Sequence, residues 1–177
     1  MTSTGGFGYG VIFDLDQTLI ESERAKPLRN ARRWADVYKL IPELRPYDGI
    51  TELIFKLNHC RIPVSIVTSS PSLYCHRIIH YWKWKIDVTV CYHDTHYKKP
   101  NPEPILLAIQ KLNVSNSSVV AIGDDAKDII AAKKADVLSI AAVWGSSNKK
   151  ELLDSKPDKV LESVNDLRGF LIEYYQL

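Results

Sequence analysis

Residues 10–18 read GVIFDLDQT: four residues of a short apolar run, Gly10 to Phe13, lead straight into two carboxylates, Asp14 and Asp16, two positions apart. The same design recurs twice. VSIV at 64–67 runs into Thr68 and Ser69, and VVAIG at 119–123 runs into Asp124 and Asp125. Two further β-branched runs, Ile86 to Val90 and Leu138 to Val143, bring the number to five. Each run is too continuously apolar to be a strand with one wet face, so each reads as a central strand covered on both sides.

Between the runs the period changes from that of a strand to that of a helix. Ile105, Leu106, Ile109 and Leu112 recur at helical spacing after Pro102 and Pro104. A helix tolerates proline in its first turn, so this one is expected to start near Asn101. Asp124 or Asp125 caps a helix running through Ala135, and Leu167, Phe170, Leu171 and Tyr174 form the stripe of a last helix. Strand and helix in alternation predict parallel βαβ units, an α/β sandwich with a central sheet of about five strands. In such sheets ligands bind beyond the carboxyl ends of the strands. Asp14, Thr68, Ser69, Asp124 and Asp125 are therefore expected to converge on one crevice from distant parts of the chain.

The crevice would be acidic. In extended chain Asp14 and Asp16 face the same way, and two carboxylates that close repel each other. Adding Asp124, Asp125 and Asp128 gives a cluster that opposes folding unless a hard divalent cation and a lysine neutralise it. Magnesium suits an all-oxygen site, and Lys99, just before the Pro100 to Pro104 helix start, is the best-placed compensating charge.

Size and composition fit this picture. The chain has 177 residues, 45% of them hydrophobic and 25% charged, enough for one well-buried core and hence a single domain, 1–177. A formal charge of +2 gives no overall pull toward nucleic acid or an anionic membrane. The three cysteines, Cys60, Cys75 and Cys91, are odd in number and show no CxxC spacing, so they indicate neither a disulfide framework nor a zinc knuckle and fit a reducing compartment. The opening MTSTGGFGYG reads as a flexible lead-in without the features of a signal peptide, and no apolar run approaches the ~18 residues of a membrane span. A cytoplasmic protein is expected. The glycines of that lead-in precede the first strand, whereas a dinucleotide-binding loop must follow one.

Taken together, the motifs resemble those of the haloacid dehalogenase superfamily. DLDQT at 14–18 looks like its first motif, TSS at 68–70 its second, KPNPEP at 99–104 its third and GDDAKD at 123–128 its fourth, in the family's order. The resemblance implies a Rossmann-like three-layer sandwich and a Mg2+-dependent phosphatase. It implies that Asp14 attacks phosphorus and that Asp16 protonates the leaving oxygen and then activates water. Asp14, the backbone carbonyl of Asp16 and Asp124 would hold magnesium, and Thr68, Ser69 and Lys99 would bind the phosphoryl oxygens. Asp128 would orient the lysine or metal-bound water. Asp125, where similar proteins often carry Ser or Thr, either takes that place or caps the helix. The resemblance also implies, from the aspartate at position 16, phosphate-ester hydrolysis rather than C–Cl or C–P cleavage, since the family's dehalogenases and phosphonate hydrolases lack it.

Residues 20–45 stand outside this scheme. Glu21 to Arg45 carries seven Lys or Arg against four acidic residues and reads as a small inserted helical cap, with Arg24, Lys26, Arg29, Arg32 and Arg33 on a solvated face. Sequence leaves two alternatives for so short a cap: the crevice stays open, or a neighbour in an oligomer completes the cap. The expected partner is a phosphorylated small molecule. A phosphoprotein or nucleic-acid end docking on the insert and the Tyr81 to Lys85 stretch is the second possibility, and a non-catalytic binding module the third. Oligomeric state is not legible. Cys75, His76, His80, Cys91, His93 and His96 lie near one another in sequence, but read better as helix-face and loop residues than as zinc ligands.

Overall fold

A computed structural model describes residues 8–177; most of the glycine-rich lead-in lies outside the described residues. Six parallel strands form one sheet: β1 Gly10–Phe13, β4 Val64–Val67, β5 Val88–Val90, β6 Val119–Gly123, β7 Leu138–Ala142 and β8 Lys159–Leu161, in the order β5-β4-β1-β6-β7-β8. A separate pair, β2 Ile20–Glu21 and β3 Arg45–Pro46, runs antiparallel. The expected α/β sandwich with a parallel sheet is what forms, with six strands rather than five. The sixth, β8, has two exposed residues and a half-buried one, so it carries no continuous apolar run by which sequence could reveal it.

Side chains alternate across a strand, and β1 shows the consequence. Val11 and Phe13 enter one core with Leu53, Ile54 and Leu57 of α3 (Ile50–His59), Tyr74 and Ile78 of α4 (Ser72–Tyr81) and Leu167 and Leu171 of α8 (Val164–Tyr175). Ile12 enters a second core with Ile105, Ala108 and Ile109 of α5 (Glu103–Leu112) and Ala131 and Ala132 of α6 (Ala126–Lys134). Helices thus cover both faces, giving three layers. The helix expected near Asn101 begins at Glu103, whose N–H is accepted by Asn101 Oδ1 at 2.9 Å.

The strand order positions the site. From β1 the chain moves outward through β4 and β5, then returns to lay β6 on the other flank of β1, pairing Phe13 with Ile122. At this reversal two successive connections leave the sheet in opposite directions, opening a crevice beyond the ends of β1 and β6. Asp14 and Asp124 stand at its two sides. The segment linking β2 to β3 holds two short helices, α1 Lys26–Asn30 and α2 Trp34–Leu40, and α2 packs against α4 beside the crevice. Ala25, Val37, Ile41 and Leu44 bury into the main core, so this segment is fastened to the sheet domain rather than standing away from it.

No helix of the described residues is long and apolar enough to cross a membrane. In the Tyr81 to Lys85 stretch, considered from sequence as a docking surface, Tyr81, Lys83 and Lys85 are exposed but the two tryptophans turn inward. Trp84 is buried and donates to Thr51 Oγ1 at 3.1 Å, while Trp82 is half-buried and donates to the Leu44 carbonyl at 3.1 Å.

Candidate active site

The end of β1 fixes the first carboxylate. The Asp14 N–H donates to the Ile122 carbonyl at 2.9 Å, extending the β1–β6 ladder by one bond and holding the Asp14 side chain at the sheet's edge. The chain then turns back on itself. The Leu15 carbonyl accepts from the N–H groups of Leu19 and Ile20, and Gln17 takes φ 66° at the bend. Thr18 lies inside this turn and donates its hydroxyl to Asp124 Oδ1 at 2.8 Å, tying the first motif to the fourth.

Lys99 reaches the same point from the loop before α5. Its ammonium lies 2.7 Å from Asp14 Oδ1, 2.6 Å from Asp128 Oδ1 and 2.9 Å from the Val67 carbonyl. An ammonium has three donors, and all three are used. The lysine side chain is only 6% exposed, so the carboxylates compensate a charge almost out of water. Burial alone would favour the neutral amine, but Asp128 and Asp14 outweigh it and raise the pKa, leaving a fixed cation.

The carboxylates are affected in the opposite sense. Burial is the main cause lifting Asp14, opposed by Lys99 and reinforced by Asp128 and Asp16, and its pKa is pushed up to about 7. Asp124 rises further, to about 9, through burial and the charges of Asp14 and Asp128, with Thr18 and Lys99 acting the other way. One lysine therefore does not neutralise this cluster.

Asp128 owes its place to a glycine. It sits in the first turn of α6, where a Cβ at Gly123 would fall 2.3 Å from the Asp128 Cβ, closer than side chains pack. The freed space lets one carboxylate oxygen meet Lys99 while the other accepts from the Asp125 N–H at 3.1 Å. Asp125 is the residue that caps α6: it is exposed and its side chain accepts from the Lys127 N–H at 2.9 Å. Of the five aspartates, Asp14, Asp124 and Asp128 converge, each offering an oxygen within 4.8 Å of the others.

Asp16 turns a different way. Its Oδ1 accepts from Ser22 Oγ at 2.7 Å and Tyr74 Oη at 2.8 Å; its Oδ2 accepts from Ser70 Oγ at 2.7 Å and pairs with an Arg29 Nη at 2.5 Å. Arg29, expected on a solvated face, is a correction: its side chain is 16% exposed and its guanidinium turns inward to Asp16. Lys26 and Arg33 are surface residues paired with Glu23 and Asp36. Thr68 is buried, with its hydroxyl accepting from the Ser70 N–H at 3.0 Å, while Ser69 is exposed at the mouth of the crevice.

Both residues line a cleft of about 440 Å3 together with Asp14, Asp16, Lys99, Asp124, Asp125 and Asp128, so all the expected site residues border one space. Arg29 and Ser70 also line this space, and Thr18, Ser22 and Tyr74 are buried behind it as partners of Asp124 and Asp16; none of the five was anticipated in these roles. Thr18 and Ser70 stand inside the quoted motifs and were within reach of sequence reasoning; Ser22, Arg29 and Tyr74 are brought in by folding alone. Of the cysteines and histidines near one another in sequence, Cys75 and Cys91 are buried, and His76 lies 3.0 Å from Ser72 Oγ and 3.2 Å from Thr89 Oγ1 through its two ring nitrogens.

Comparison with known proteins agrees with this architecture. Residues 29–142 match the haloacid dehalogenase-like hydrolase family, and the chain belongs to it. N-acetylmuramic acid 6-phosphate phosphatase of Pseudomonas aeruginosa is 32% identical over 130 residues, 71% of this chain and 57% of that protein. Phosphoglycolate phosphatase of Escherichia coli K12 is 28% identical over 108 residues, 60% of this chain and 43% of that protein. The chain thus spans about half the length of these curated relatives. A crystal structure of a hydrolase from Pseudomonas syringae superposes with a TM-score of 0.78 at 21% identity, covering 93% of this chain and 98% of that one, a likeness of fold.

Proposed function

We propose that this chain is a magnesium-dependent phosphomonoester hydrolase that works through an aspartyl-phosphate on Asp14 and acts on a small phosphorylated metabolite. The observation that carries the reading is the Lys99 ammonium, fixed between Asp14 and Asp128 within the β1–β6 crevice. Transfer of a phosphoryl group needs an in-line nucleophile and spread-out compensation of charge. Asp14 offers the first and Lys99 part of the second.

The donor set fits a hard divalent cation. Three carboxylate oxygens lie close together, and burial holds two of the groups at pKa values where much of the population would be protonated near neutrality. Magnesium would be held by Asp14, Asp124 and the backbone carbonyl of Asp16. When bound it supplies the charge that keeps the carboxylates ionised and offsets the negative charge of the phosphoryl group.

In this scheme an Asp14 oxygen attacks phosphorus and the bond from phosphorus to the leaving oxygen breaks. That oxygen takes a proton from Asp16. Water then attacks the aspartyl-phosphate, gives its proton to Asp16, and releases inorganic phosphate with Asp14 restored. Thr68, Ser69 and Lys99 bind the phosphoryl oxygens, Lys99 by turning the donor now on Asp14 to the phosphoryl group, while Asp128 keeps Lys99 in place.

A small substrate is favoured by the size of the cleft, which is within the range of small-molecule pockets, and by the names of the curated relatives. The inward-turned Trp82 and Trp84 weaken the case for a macromolecule. We take residues 20–45 as a reduced cap on a single 1–177 domain, and the free thiols of Cys60, Cys75 and Cys91 as consistent with a cytoplasmic setting. The test is phosphate release from a panel of phosphorylated sugars, hydroxy acids, nucleotides, phosphopeptides and end-phosphorylated oligonucleotides, with magnesium present. Turnover is expected on small esters. No release from any of them would contradict the reading.

A further inference from the structure

Asp16 must exchange a proton with substrate and water if it is to act as proposed, yet its carboxylate is fully engaged. Four donors meet its two oxygens, and a carboxylate has about four lone-pair sites. One donor has to leave before a leaving oxygen can approach. Ser22, Ser70 and Tyr74 are buried and held by the packing around them. Arg29 differs: its long side chain lines the cleft, as does Asp16, whose Oδ2 it pairs with. It is also incompletely satisfied, since its Nε is buried without an acceptor. A planar guanidinium with one Nη on a carboxylate and an idle buried Nε is suited to receive a tetrahedral oxyanion through two parallel donors.

We infer that Arg29 is a latch exchanged by substrate: in the free protein it pairs with Asp16, and an incoming phosphate draws it away and uncovers Oδ2 for proton transfer. Arg29 belongs to α1, so the exchange links occupancy of the crevice to the position of the inserted segment. A phosphate dianion competes with a single carboxylate for the guanidinium, which makes the exchange favourable only when the site is filled. Asp16 thereby stays covered in the empty protein. Arg29 is a phosphate-binding residue in this account, and it acts on Asp16 by leaving it. The inference rests on the phosphatase reading for the role of Asp16, but the exchange itself is a binding event observable without turnover.

The experiment combines binding and structure. Affinity for inorganic phosphate is measured by calorimetry with magnesium present, for wild type, Arg29→Lys and Arg29→Gln. Arg29→Gln is expected to weaken phosphate about 10- to 100-fold, the range of a lost charge-assisted contact, with Arg29→Lys between it and wild type. A crystal structure of the wild type with phosphate or tungstate covers the case in which the variants fail to fold, and should show the guanidinium on the anion and Asp16 Oδ2 released. Unchanged phosphate affinity in Arg29→Gln, or a guanidinium still on Asp16 with the anion bound, would overturn the latch. Failure of the phosphatase reading shows itself separately, as a wild type that binds phosphate but hydrolyses no ester.

Discussion

Lys99 and Asp14 are 85 residues apart in sequence and 2.7 Å apart in space, a contact made almost entirely out of water. Such a pair is held in place mainly by what its loss would leave behind. Lys99→Met should strand two carboxylates and the Val67 carbonyl, destabilising the protein by about 3–5 kcal/mol, the range for breaking a buried pair. Urea denaturation checks this, and added magnesium should return part of the loss. A shift below about 1 kcal/mol would mean that the site reorganises around water.

The raised carboxylates predict an unusual pH dependence in metal-free protein. Asp14 near 7 and Asp124 near 9 titrate close to 3.8 once unfolded, so across that window the folded chain holds more protons than the unfolded chain. Stability then falls as pH rises. In chelator, the melting temperature should drop from about pH 6 to about pH 9, and magnesium should stabilise more at the upper end. A flat or rising profile in chelator would show that the two carboxylates are not held protonated.

Gly123→Ala tests the packing that seats Asp128. A methyl group there meets Asp128 Cβ at 2.3 Å and its Oδ2 at 2.4 Å, so either the strand end or the first turn of α6 must shift. Destabilisation of about 1–3 kcal/mol is expected, as for overpacking elsewhere, with a lower urea midpoint at unchanged m value. A neutral result would mean that Asp128 moves freely.

Much of this was legible beforehand, and the exceptions have physical causes. Strands β1, β4, β6 and β7 are buried along almost their whole length, and their apolar runs end where side chains reach the crevice. Sequence therefore located Asp14, Thr68, Ser69 and Asp124 as neighbours. Lys99 was legible through the prolines that mark the start of α5. Strand β8 was missed because an edge strand with a wet surface leaves no such run. Arg29 was misread because helical spacing placed it among surface cations, and only the fastening of the inserted segment beside α4 turns it toward Asp16. The choice between Asp125 and Asp128 depended on a capping geometry that spacing alone leaves open.

Asp16→Asn separates proton transfer from charge. Loss of a general acid or base should lower hydrolysis of an alkyl phosphate by about 10²- to 10⁴-fold. An activated ester such as p-nitrophenyl phosphate needs little help in leaving and should lose less in its first step. Equal losses on both substrates would argue that Asp16 holds its neighbours in place and transfers no proton.

The central claim is that phosphorus becomes bonded to Asp14. Enzyme mixed with a turning-over phosphate ester and magnesium, quenched in acid and mapped by peptide mass spectrometry, reports this directly. The phosphoryl group should appear on the peptide containing Asp14, be absent from Asp14→Asn, and disappear as substrate is exhausted. Asp14→Asn should also lose turnover by more than about 10³-fold while keeping its fold. Rapid turnover with that peptide never labelled, together with an Asp14→Asn variant that still releases phosphate at the wild-type rate, would contradict the account.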